Sequence, residues 1–201
     1  MSILLNADDS QLLLIDYQEK LMPAIHGADQ VLKNALRLAQ VSKMLGLPVW
    51  GTEQNPEKLG ANHALIKELC KKTLSKMSFG ACDEGLIELL RAPAKPQGNA
   101  RSLPKHLQRK QDPQDERNTI VIAGCEAHVC LLQTALGLIE EEFDVWVVTD
   151  ACSSRTEVNR DAAFDRLASN GAELVTTEMV IFELLGSCEH PEFKNVLNLV
   201  K

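Results

Sequence analysis

Apolar residues along the chain gather in short uninterrupted runs, separated by stretches in which they recur every three or four positions. Three runs read directly as buried strands: Gln11 to Asp16 (QLLLID), Asn118 to Gly124 (NTIVIAG) and Asp144 to Asp150 (DVWVVTD), each closed by a carboxylate or a glycine. Weaker strand candidates at Leu47 to Thr52, Thr73 to Lys76 and Ala172 to Thr176 bring the expected total to six. Between them lie helical patterns, such as Val31, Ala35, Leu38, Ser42 and Leu45, with Gly46 placed to end that helix in a left-handed cap. A second pattern runs Val129, Leu132, Leu136, Ile139. Strands apolar on both faces, alternating with amphipathic helices, predict an α/β three-layer sandwich around a parallel sheet. In such sheets a ligand sits beyond the carboxyl ends of the strands, so Asp16, Lys76, the GCEAHVC stretch and Asp150 draw attention by position alone.

One stretch breaks the alternation. Arg91 to Asn118 holds four prolines, seven basic and three acidic residues, and only Leu103 and Leu107 as large apolar side chains. It reads as a surface insertion: a solvated loop, an active-site lid or a subunit-contact arm. The remainder fits one domain spanning residues 1–201, long enough to bury a core without disulfides or metals.

Composition narrows the function classes. Apolar residues make up 45% and charged residues 24%, the proportions of a globular chain. A formal charge of −7 has the wrong sign for a nucleic-acid binder, so no nucleic-acid partner is expected. The start, MSILLNADDSQ, has no basic segment followed by an apolar run, and no later stretch approaches the ~20 apolar residues of a membrane span. The expectation is a cytoplasmic protein without a membrane partner. The cysteines, at 70, 82, 125, 130, 152 and 188, form no CxxC pair, which suggests neither a zinc site nor a secreted disulfide framework.

The sharpest local feature is GCEAHVC, Gly124 to Cys130, at a strand-to-helix junction. A thiol there would feel the positive end of a helix dipole, which favours thiolate, and first-turn N–H groups are free to hold an oxyanion. A packed core cysteine fits the same residues equally well. Asp16 and Lys76 each have a plain reading too, as a loop-initiating carboxylate and a surface lysine. In a sheet ordered 3-2-1-4-5-6, however, both face the crevice of Cys130, and the three together make a nucleophile, a base and a cation.

At this point the chain resembles the isochorismatase-like cysteine hydrolases, and specifically the isochorismatase domain-containing branch. The matching segments are LLLIDYQEKLMPAI, PVWGTEQNPEKLG, LSKMSFGAC, VIAGCEAHVCLLQTAL, VVTDACSSRTEVNRDAAFDRL, GAELVTTEMVIFELLG and HPEFKNVLNLVK, nearly everything outside Arg91 to Asn118. The resemblance implies a six-stranded parallel sheet and an Asp-Lys-Cys triad falling on Asp16, Lys76 and Cys130. It also implies a non-proline cis peptide at Cys125–Glu126, with the backbone N–H groups of Glu126 and Cys130 as the oxyanion hole. The implied activity is hydrolysis of a small amide, carbamoyl or related compound through a thioester-type intermediate, in a homodimer or homotetramer.

The nicotinamidases of that superfamily carry an Asp and two His residues that bind a metal after the second strand, where this chain reads GTEQNPEKLG. His26 and His63 stand elsewhere, so neither metal nor cofactor is expected. Gln18, Glu53, Gln54 and Phe79 are candidate substrate contacts, with turn-forming or core-packing roles as the plain alternative. His128 lies two residues before Cys130 and points away from it at that spacing, Cys152 lacks a cationic partner, and Arg155 and Arg160 could reach an acidic ligand, with a buried structural ion pair to Asp150 or Asp161 as the plainer reading. Two functions compete with a hydrolase: a non-catalytic binding or scaffold protein that kept the fold, and a nucleotide-binding module. The latter lacks a Gly-rich loop, since DYQEKLMP follows the first strand.

Overall fold

The computed structural model describes residues 3–91 and 117–201. Six parallel strands run β1 (Ser10–Ile15), β2 (Val49–Gln54), β3 (Lys72–Lys76), β4 (Thr119–Gly124), β5 (Asp144–Val148) and β6 (Glu173–Val175), in the spatial order 3-2-1-4-5-6. Around them lie α1 (Ala28–Met44), α2 (Pro56–Leu59), α3 (Ala64–Leu69), α4 (Leu86–Leu90), α5 (Leu132–Glu140), α6 (Glu157–Ser169), α7 (Thr177–Leu185) and α8 (Phe193–Val200). Right-handed crossovers explain the layers. The chain steps one way from β1 to β3 and the other way from β4 to β6, which sends α1 and α3 to one face and α5 and α6 to the other. The last two helices return to pack on α1.

All six residues of β1, β2 and β4 are buried, as expected of strands covered on both faces. Leu12, Leu13, Leu14, Ile15, Ile120 and Ile122 form the middle of the core. The second strand begins two residues later than its apolar run suggests. Pro48 has no N–H to give the ladder, although its carbonyl accepts from Leu12 at 2.9 Å. That shift draws Glu53 and Gln54 into β2. The fifth strand stops at Val148, because Thr149–Ala151 turn into a short 3₁₀ segment. Gly46 does take the left-handed conformation beyond α1, at φ 77°. The insertion expected between Arg91 and Asn118 lies, apart from its edges, outside the described residues.

Register assembles the crevice. Ile15 stands opposite Thr52 on one side and Gly124 on the other, while Gln54 pairs with Lys76. The residues leaving β1 and β4 and closing β2 and β3 therefore meet at one end of the sheet. Gly124 permits this closeness: at φ 156° its Cα lies against Ile15, and a Cβ there would overlap the Ile15 backbone.

Candidate active site

Asp16 leaves β1 in the left-handed region, at φ 52°, which turns its carboxylate into the crevice. The side chain is fully buried. Its Oδ1 accepts from the Thr52 hydroxyl at 2.6 Å and its Oδ2 from the Lys76 ammonium at 2.9 Å. Lys76 closes β3 and is equally buried. Besides Asp16, its Nζ donates to Gln54 Oε1 at 2.8 Å and to the Phe79 carbonyl at 2.9 Å. An ammonium has three N–H groups, and here each has a close acceptor.

Cys130 approaches this pair from the other side, near enough for its thiol to interact with both Asp16 and Lys76. It sits in a π-helical turn, Ala127–Leu131, that precedes α5. The Thr134 hydroxyl donates to the Cys130 carbonyl at 2.7 Å and accepts from the Ala81 N–H at 3.2 Å, tying this turn to the loop after β3. The expected helix-dipole lowering of the thiol is overturned. Burial, followed by the Asp16 carboxylate, pushes the Cys130 thiol up to about 12, and Lys76 offsets only part of this.

The peptide Cys125–Glu126 is cis. Around it the Cys125 N–H donates to Ile15 O at 3.0 Å and the Ala127 N–H to Ser153 O at 2.8 Å. Val129 and Leu131 both donate to Glu126 O, at 3.1 and 3.2 Å. The Glu126 side chain is gripped by Arg155, Nη2 to Oε1 at 2.5 Å and Nε to Oε2 at 2.9 Å, and by the Arg155 N–H at 3.2 Å. That fork holds the Glu126 carboxyl below its usual range.

The candidate contacts divide. Gln18 is buried, with its amide committed to protein: Nε2 donates to Gln54 O and Gly60 O, and Oε1 accepts from the Gln54 N–H. Gln54 adds a bond from Nε2 to Met77 O at 2.7 Å. Glu53 Oε1 accepts from the Asn62 N–H at 2.9 Å, with Lys67 Nζ at 3.8 Å. Phe79 gives its carbonyl to Lys76 and is itself 53% exposed; Met77, two positions earlier, is more exposed still.

Other expectations meet mixed outcomes. Arg155 pairs with Glu126, not with Asp150 or Asp161. Asp150 Oδ1 instead accepts from both the N–H and hydroxyl of Thr177. Arg160 pairs with Asp161, at 2.8 Å, but at the surface and not as the buried pair expected. His128 Nδ1 faces Ser154 Oγ at 2.9 Å, away from the thiol. Burial pushes the Cys152 thiol up to about 12. Sequence reasoning missed Thr52 and the Glu126–Arg155 fork. Thr52 was discoverable in principle, as the register neighbour of the residue before Asp16. Among the described residues, no three His, Cys, Asp or Glu side chains cluster as a metal group, and no helix is long and apolar enough to cross a membrane.

Comparison with known proteins supplies an independent view. The Isochorismatase domain family matches residues 10–179. The mouse (Mus musculus) isochorismatase domain-containing protein 2A is 32% identical over 194 residues, covering 96% of this chain and 84% of that protein. Among solved structures, the MAR1 ribonuclease from Caenorhabditis elegans superposes with a TM-score of 0.82 at 30% identity, covering 98% of this chain and 91% of that one. The YcaC gene product of Escherichia coli, described as an octameric hydrolase of unknown specificity, gives 0.79 at 25% identity, over 98% and 96%.

Proposed function

The chain belongs to the isochorismatase family, and from that premise we propose that it is a cysteine-dependent hydrolase of a small amide, carbamoyl or related compound. The observation that carries this reading is the meeting of the Cys130 thiol, the Asp16 carboxylate and the Lys76 ammonium in one buried contact.

In this reading Asp16 accepts the thiol proton as Sγ attacks the substrate carbonyl carbon. The transfer moves a charge from Asp16 to Sγ without changing the net charge of the site, with the Lys76 ammonium beside both. The proton passes to the departing amine as the C–N bond breaks, leaving a thioester. Water then gives a proton to Asp16 and adds to the thioester carbon, Sγ departs and recovers that proton, and the acid is released. As the family resemblance implies, the N–H groups of Glu126 and Cys130 serve the oxyanion; those of Ala127, Val129 and Leu131 are bonded to backbone carbonyls, and that of His128 faces Ser154 Oγ. Gln54 acts here by holding Lys76 and Gln18 by bracing the Gln54 backbone, while Glu53 and Phe79 remain candidates for direct substrate contact.

The test is a hydrolysis screen over small amides, ureas and carbamoyl compounds with wild type and Cys130→Ser. Turnover by wild type, with an acyl adduct of Cys130 in mass spectrometry and none in Cys130→Ser, is the expected result. Equal rates in both proteins would remove Cys130 from the chemistry. RNA cleavage is the second reading, favoured by the name of the C. elegans relative and opposed by the net charge of −7. RNA therefore belongs in the same screen. A homo-oligomer is also proposed, on the octameric state given for the E. coli relative, and sedimentation at micromolar concentration checks it.

A further inference from the structure

Resting on Cys130 as the nucleophile, we propose that the site selects uncharged substrates and turns away anionic ones, because, among the described residues, the cations Lys76 and Arg155 beside the Cys130 turn are already closed on carboxylates of the chain itself. Lys76 spends its N–H groups on Asp16, Gln54 and Phe79. Arg155, whose side chain is 62% exposed and is the obvious candidate to greet a substrate carboxylate, turns its fork onto Glu126.

An anionic ligand therefore meets two carboxylates, Asp16 and Glu126, and finds Lys76 and Arg155 already closed on them. Proton transfer to Asp16 then places the negative charge on Sγ, nearer still to the incoming molecule. Burial sharpens the penalty, since a carboxylate brought out of water without a partner loses far more hydration than an amide does. An uncharged amide needs only N–H donors at its carbonyl. Exposed Met77 and Phe79, in the segment that follows Lys76, offer its remainder an apolar contact.

Iodoacetamide and iodoacetate form the matched probe. They share the reacting carbon and differ in charge. In each case the Sγ–C bond forms as the C–I bond breaks, iodide departs and the thiol proton goes to Asp16 and on to solvent. Labelling of Cys130 in the full chain is followed by mass spectrometry at neutral pH, with 2-mercaptoethanol as reference thiol.

The expected preference of Cys130 for iodoacetamide exceeds that of the reference by about tenfold or more, a difference of about 1.4 kcal/mol. Glu126→Gln keeps the backbone N–H but frees the Arg155 guanidinium, so the preference shrinks severalfold. Arg155→Met leaves Glu126 unpaired, so the preference grows. A wild-type preference no greater than the reference overturns the proposal, as does one unchanged in Glu126→Gln. If that variant does not fold, Arg155→Met decides alone: growth supports, no change overturns. If neither reagent labels Cys130 while exposed Cys188 reacts with both, the nucleophile reading itself falls, and this inference falls with it.

Discussion

On one side of the crevice, the ends of β1, β2 and β3 deliver side chains that carry charge: Asp16 and Lys76, each bonded to other side chains and fully removed from water. On the other side, β4 and β5 deliver a thiol whose loop is pinned mainly by backbone. Cys125 bridges to Ser153, the Cys125 N–H reaches Ile15 O, and Gly124 lies flat against the first strand. The contrast teaches where each half is vulnerable. A buried ion pair fails when one partner is removed, because the other charge is stranded. A backbone-pinned loop tolerates many side-chain changes and fails when the backbone is pushed.

The charged half should show the largest effect. Lys76→Met strands the buried Asp16 carboxylate, and the loss of stability is expected to reach about 3–5 kcal/mol. Urea denaturation checks this. The double variant Asp16→Asn with Lys76→Met should lose less than the two single variants added together, because it leaves no stranded charge. Simple additivity would mean that the 2.9 Å contact carries no coupling, and the comparison between the halves would lose its basis.

The backbone half is probed by two glycines. Both Gly124 and Gly171 have positive φ, at 156° and 95°, but only Gly124 has atoms within 4 Å of a new Cβ. Gly124→Ala should therefore cost roughly 1–3 kcal/mol more than Gly171→Ala. It should also slow Cys130 alkylation, because the loop carrying the thiol must move away from Ile15. Equal thermal midpoints for the two variants would show that conformation at φ, and not the close approach of β1 and β4, governs this side.

Much of this was legible before any coordinates. The runs QLLLID and NTIVIAG announced the two central strands, since strands buried on both faces leave little room for polar residues, and DVWVVTD announced the half-buried β5 beside them. Asp16, Lys76 and Cys130 were legible as strand-end residues once the order of the sheet was in hand. What stayed hidden depends on distance across the fold. Nothing near Thr52 in the sequence says that its hydroxyl faces Asp16, because that contact follows from the pairing of β1 with β2. The partner of Arg155 was misread for a similar reason: Glu126 is 29 positions away and comes near only through the bridge between the loops after β4 and β5. The thiol expectation failed because a helix-end dipole is visible in sequence, whereas burial beside a carboxylate is not.

The smallest expected effect joins the two halves of the contrast, since the Glu126–Arg155 fork is a charged contact within the backbone-pinned half. Arg155 hydrogen bonds hold the folded Glu126 carboxyl below its usual value, ~4.3 in an unfolded chain. A lowered folded value contributes stability that is fully present above the unfolded value and is lost as pH falls through the folded one. Wild type should therefore exceed Arg155→Met in stability by a constant margin above pH ~4.3, and the margin should close as the pH drops further. The margin should stay below the cost of Gly124→Ala, because Arg155 is largely exposed and water screens the pair, and added salt should narrow it. Thermal melts of both proteins from neutral to acidic pH measure it. A margin that widens in acid would mean that Arg155 acts through packing, with no contribution from the Glu126 charge.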